Sequence, residues 1–211
     1  MNKLIWGVVG LLAILAGSAK ATINDLFISE YVEGRGYNKA IELYNGKGHT
    51  IDLSEYQLEF YLNGASTASF SIELSGSLTA YTTFVIANSL AASEILIVTD
   101  QTRNGIWFDG DDVVTLTHKN KIIDSIGQVG MDPGNVWGKN DSQNKRRSFK
   151  NGTVRRLPEV EQADVNILDN VDFDAQWQGV GEDNFDGLGS YIILGNFASD
   201  CTEADKLESI C

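Results

Sequence analysis

Residues 109–138, DGDDVVTLTHKNKIIDSIGQVGMDPGNVWG, decide the fold. β-Branched and apolar residues recur over 113–118 and again over 121–129. Only Lys119-Asn120 separates the two runs, which is the spacing of a tight β-hairpin. Gly127, Gly130, Gly134 and Gly138 then punctuate a loop holding Pro133 and Trp137, so turns and one large aromatic govern that stretch rather than helical periodicity. The segment reads as the central hairpin of an all-β domain.

The same texture extends on both sides. Residues 26–32 alternate as a strand, and Gly34-Arg35-Gly36 turns it into a second strand at 40–44. Short β-branched or aromatic runs follow at 58–62, 69–74, 84–87, 95–98 and 106–108, with turn signals such as Asn63-Gly64 and Ser75-Gly76 between them. One helix of about two turns is expected after the capping pair Asn88-Ser89, ending at Glu94. A final strand at 191–194 is expected to close the fold. Many short strands without alternating helices favour an antiparallel sandwich or barrel.

The N-terminus reads differently. Lys3, an apolar run at 4–15 and the small-x-small triplet Ala19-Lys20-Ala21 predict a cleavable export signal over 1–21. The apolar run is short for a permanent membrane span. The expectation is therefore a mature protein without a transmembrane anchor, placed in the periplasm or outside the cell. It is divided into a sandwich domain over 22–197 and a tail over 198–211. Cys201 and Cys211, the two cysteines of the chain, bound a small loop in that tail, and an oxidising compartment predicts their pairing as a disulfide. Of 16 Lys and Arg residues, Lys3 and Lys20 lie in the signal, so the remainder carries 14 against 29 acidic residues. Such acidity opposes non-specific adhesion to polyanions.

Five blocks, in order, carry a resemblance. LFISEYVEG (26–34), NKAIELYN (38–45), IDLSEYQLEFYLNG (51–64), FDGDDVVTL (108–116) and IDSIGQVGMDPG (123–134) resemble the bacterial lamin-tail domain, above all the version found in secreted nucleases. The resemblance implies an immunoglobulin-like antiparallel β-sandwich. In those nucleases the module is similar to an accessory piece ahead of a separate catalytic domain, and the residues that follow it here are too few for an enzyme. The expectation is a non-catalytic binding or docking module with a protein or glycan partner. The alternative is a DNA-binding accessory of extracellular nucleic-acid breakdown, working on extracellular DNA or with a secreted nuclease on another chain.

Candidate site residues form two groups. Strict alternation puts Glu30 on the face of Leu26, Ile28 and Val32, and Asp124 on the face of Ile122 and Ile126. A carboxylate on an apolar face needs a partner. Arg146 and Arg147 are the natural cations for a buried pair. Alternatively Glu30, Glu33, Asp111, Asp112 and Asp124 converge on a hard cation such as Ca²⁺, which takes several oxygen ligands. The second group is basic: Lys139, Lys145, Arg146, Arg147, Lys150, Arg155 and Arg156 fall within 139–156. This run either binds nucleic-acid phosphates or neutralises the acidic stretch 159–186, which is expected to pack through Phe173, Trp177 and Phe185. His49 and His118 stand at no recognisable catalytic spacing, and no G-x-S-x-G elbow is present. Trp107, Trp137, Trp177, Tyr31, Tyr37, Tyr44 and Tyr61 offer either core packing or a stacking platform.

Overall fold

A computed structural model describes residues 24–138, 149–160, 162–169 and 172–191. Within them twelve strands form two main sheets and a small third one. The strands are β1 (Leu26–Glu33), β2 (Lys39–Asn45), β3 (Ile51–Asp52), β4 (Tyr56–Tyr61), β5 (Phe70–Glu73), β6 (Ser77–Leu78), β7 (Thr83–Asn88), β8 (Gln101–Arg103), β9 (Val113–His118), β10 (Lys121–Ile126), β11 (Gly152–Arg156) and β12 (Trp177–Glu182). Two short α-helices, α1 (Ser93–Leu96) and α2 (Phe173–Gln176), and one 3-10 turn (Leu53–Glu55) complete the order. The six-stranded sheet runs β12-β11-β1-β2-β7-β8 and the four-stranded sheet β10-β9-β4-β5, with β3 and β6 paired separately. The all-β immunoglobulin-like sandwich is therefore the fold.

The hairpin forms where the sequence places it: His118 pairs with Lys121, and Lys119 and Asn120 both take positive φ, as a two-residue primed turn requires. Leu116 and Val114 of β9 face Leu58 and Phe60 of β4 across the ladder. These four join Leu26, Ile28, Tyr31, Ile41 and Leu43 of the opposite sheet in one core. That burial supplies the main stabilising term of the sandwich.

Several local expectations are corrected. Residues 95–98 are not a strand. Ile95 closes α1 against Val85 and Ala87, while Ile97 points into solvent. Helix α1 starts later than Asn88-Ser89 suggests, because the Asn88 side chain accepts from Leu90 N–H and makes a turn instead of a cap. Through this short crossover β8 returns parallel to β7, the one parallel pair among the described strands. Residues 106–108 are irregular: Phe108 plugs the core, Ile106 is exposed, and the strand of that region is β8. Strands β11 and β12 arise within the basic and acidic stretches, where turn signals and charge hid them. Of the expected 191–194 strand only Tyr191 lies among the described residues, packed beside Phe27 and Tyr44. The signal over 1–21 and the pair Cys201 and Cys211 lie outside them. Among the described residues no helix is long and apolar enough to cross a membrane.

Candidate functional site

Two irregularities decide where the buried charges point. The register of β1 against β2 shifts between Ile28 and Glu30, so Ser29 is the extra residue of a bulge. Beyond it the faces exchange. Tyr31 enters the inter-sheet core, and Glu30 turns to the outer face with Val32, opposite Glu42. The predicted common face of Glu30, Leu26 and Ile28 is thereby overturned. Strand β10 repeats the device: its register shifts between Ile122 and Asp124, so Asp124 shares the inner face with Ile126 and not with Ile122.

The cations that meet these acids are Arg155 and Arg156 of β11; Arg146 and Arg147, the expected donors, lie outside the described residues together with Lys139 and Lys145. Successive residues of a strand point to opposite faces, so the two arginines diverge. Arg156 enters the interior and places Nη2 2.6 Å from Asp124 Oδ2, with both side chains wholly buried. It also donates from Nε to the Ile28 carbonyl and from Nη1 to Gln176 Oε1, and its guanidinium lies over the Trp177 ring at 4.4 Å. Asp124 in turn accepts from the Ile28 and Asp164 amides. The pair thus takes up both main-chain groups of Ile28, where the β1–β11 ladder has stopped at Glu30. Burial raises the Asp124 carboxyl above its ordinary range, opposed by Arg156 and by the amides of Ile28 and Asp164.

Arg155 turns outward, and its Nε lies 2.7 Å from Glu30 Oε2. Burial raises Glu30 as well, against the pull of Arg155. Here Glu30 Oε1, Arg155 Nη2 and Thr153 Oγ1 are buried without a hydrogen-bond partner. The remaining candidates have separate duties. Glu33 pairs with Lys39 at 2.5 Å and accepts from the Asn151 amide. Asp112 accepts from the amides of Asn63 and Asp109, both at 2.7 Å, with Asp111 half-buried beside it. The five carboxylates do not converge: among the described residues no three of His, Cys, Asp and Glu group closely enough to hold a metal ion.

The basic run is partly consumed inside the fold, though by Glu30 and Asp124 rather than by acids of 159–186. That stretch contributes strand pairing through β12 and packing through Trp177, Phe173 and Phe185. Lys150 has its own partner. Of the aromatics considered for stacking, Trp107, Trp137, Trp177, Tyr31, Tyr44 and Tyr61 are buried and Tyr37 is exposed. His49 is exposed in the turn after β2.

The open chemistry lies on the outer face of the four-stranded sheet. Register aligns Glu73, Gln57 and Thr117 in one row across β5, β4 and β9, and Ser71, Glu59 and Thr115 in the next. Glu59 accepts from Gln57 and Tyr61, each at 2.8 Å. The first row opens into a polar pocket of about 310 Å³, whose walls include Ser54, Glu55, Lys119 and Asn120. Lys119 Nζ and His118 Nε2 clamp Glu55 at 3.0 and 3.1 Å and hold its carboxyl below the usual range, and the His118 ring stacks on Tyr56. Glu55, Gln57, Glu73, Thr117, Lys119 and Asn120 drew no attention as a group in the sequence, because only the register brings them together.

Residues 19–130 match the family model described as Lamin Tail Domain. Glu30 and Asp124 belong to the matched segment, whereas Arg155 and Arg156 come from strand β11 beyond it. No curated protein matches the chain significantly.

Proposed function

The chain belongs to the lamin tail domain family, and from that premise we propose that it is an exported, non-catalytic binding module that docks a hydroxyl-rich glycan through the outer face of its four-stranded sheet. One observation carries the reading. The row Glu73, Gln57 and Thr117 runs into a small pocket lined by carboxylate, amide, hydroxyl and ammonium groups, the donors and acceptors that pair with sugar hydroxyls. Export is supported by Lys3, the apolar run at 4–15 and Ala19-Lys20-Ala21. The family is a non-catalytic immunoglobulin-like one, in keeping with a role in binding rather than turnover. Duplex DNA is the weaker partner, since Arg155 and Arg156 are committed to Glu30 and Asp124 and withdraw two of the seven basic residues from any phosphate-contacting surface.

The test is calorimetric titration of the purified chain against a panel of neutral oligosaccharides, with duplex DNA as the comparison. A glycan is expected to bind, and Asn120→Gly, which keeps the positive φ of the turn, with Glu73→Gln to weaken it at least tenfold while leaving the melting temperature in place. Binding of DNA alone, or equal glycan affinity in the double variant, contradicts the reading.

A further inference from the structure

Glu42 lies at the middle of β2 on the outer face of the six-stranded sheet, and it is wholly buried. A carboxylate in that position is costly without a counter-charge. Its cross-strand neighbours are Glu30 on β1 and Val85 on β7. The titratable and charged groups that face it are Glu30, then Arg155 beyond Glu30, and the Tyr191 phenol on the far side; Asp186 is exposed to solvent. Two carboxylates therefore share one guanidinium, and that guanidinium is bonded to Glu30.

Residues 185–191 cover the pair as a strap. Gly189 N–H donates to Glu42 Oε2 at 2.6 Å, and the Ser29 hydroxyl of the β1 bulge, which can also accept a carboxyl proton, lies 2.6 Å from Oε1. Leu188 anchors the strap among Val32, Ala40, Val85 and Ala87. Gly187 lies directly on the Arg155 guanidinium, where an added Cβ would collide with it. Beneath the strap Glu30 Oε1 and Arg155 Nη2 are both unpartnered, so the cation is not spread over the two acids.

We propose that the missing counter-charge is a proton on Glu42, and that the strap 185–191 is a latch which this proton holds shut. A group that binds its proton more tightly in the closed form shifts the equilibrium toward the open form when the proton leaves. Burial, with Glu30 adding to it, acts in that direction and raises the Glu42 carboxyl from its ordinary 4.5 to about 7, against the hydrogen bonds from Ser29, Gly189 and Ser190. Deprotonation leaves two carboxylates and one guanidinium under the strap, and lifting residues 187–190 gives Glu42 water. The open to closed ratio then grows on the order of fiftyfold between pH 5 and pH 8. The latch lies on the sheet opposite the proposed docking face and does not depend on it.

The experiment is an NMR titration of the full chain from pH 5 to pH 8.5, following Glu42 Cδ and the Gly189 amide, in the native sequence and in Glu42→Gln. The expected result is a Glu42 inflection above pH 6. The Gly189 resonance moves with it, and its protection, corrected for the intrinsic exchange rate, falls at least tenfold. In Glu42→Gln the protection stays flat. Should that variant misfold, the native chain alone decides, since a Glu42 carboxyl titrating below pH 5, or Gly189 protection unchanged across the range, overturns the latch.

Discussion

Arg155 and Arg156 are neighbours on one strand, yet they occupy two different kinds of site. Arg156 points between the sheets and has its partners in place: Asp124, the Ile28 carbonyl, Gln176 and the face of Trp177. Arg155 points out beneath the strap, where a buried nitrogen of its own and an oxygen of Glu30 lack partners. Both arginines follow the segment that matches the family, so strand β11 brings the cations to acids that the matched segment provides. The difference teaches that a buried ion pair pins a fold only when its spare hydrogen-bonding groups are also satisfied. The inner pair is a pin, and the outer one is an adjustable contact.

Removing Asp124 tests the pin and has the largest expected effect. Asp124→Ala leaves the Arg156 guanidinium buried without its carboxylate, and the expected loss is about 3–5 kcal/mol, on the scale of broken buried pairs; denaturant unfolding reads it directly. A cost below about 1 kcal/mol would place Arg156 among ordinary surface charges.

The outer site carries a pH signature. Glu42 is raised in the folded chain, so between about 4.5 and about 7 the folded state holds a proton that the unfolded state has released. Stability therefore falls as pH rises through that window, by roughly 3 kcal/mol in all. Glu30, Glu33, Asp112 and Asp124 are raised by burial as well and act with the same sign. Melting curves at pH 5 and pH 8 check this, and a chain more stable at pH 8 contradicts it.

Glu30→Gln gives the smallest change, about 1–2 kcal/mol in thermal or denaturant unfolding, because an amide still accepts from Arg155 and the Arg155 side chain is already 29% exposed. A loss as large as that of Asp124→Ala would erase the distinction between the two arginines.

Much of the fold was legible, and less of the site. The hairpin across Lys119-Asn120 could be read because a two-residue turn fixes register and both flanking runs are β-branched. The faces of Glu30 and Asp124 were misread because alternation assumes an unbroken pleat, while Ser29 and the shift after Ile122 each insert a residue that no local pattern announces. The need of both acids for a basic partner was legible; which arginines meet them was not, since β11 is concealed in a basic run and its pairing with β1 spans more than a hundred residues. Glu42, between Ile41 and Leu43, drew no attention in the sequence. It is buried because the distant strap at 185–191 folds over it, and sequence spacing carries no trace of that contact. The pocket was missed for the same reason, as Glu73, Gln57 and Thr117 become a row only once three strands are in register.

Hydrogen exchange at two amides tests the division most directly. Ile28 N–H is held by Asp124 on the inner side and Gly189 N–H by Glu42 on the outer side. At pH 8 the account predicts that Ile28 exchanges only through global unfolding, with an opening free energy equal to that of the whole domain, while Gly189 exchanges through a far smaller local opening. Equal opening free energies at the two amides would contradict it.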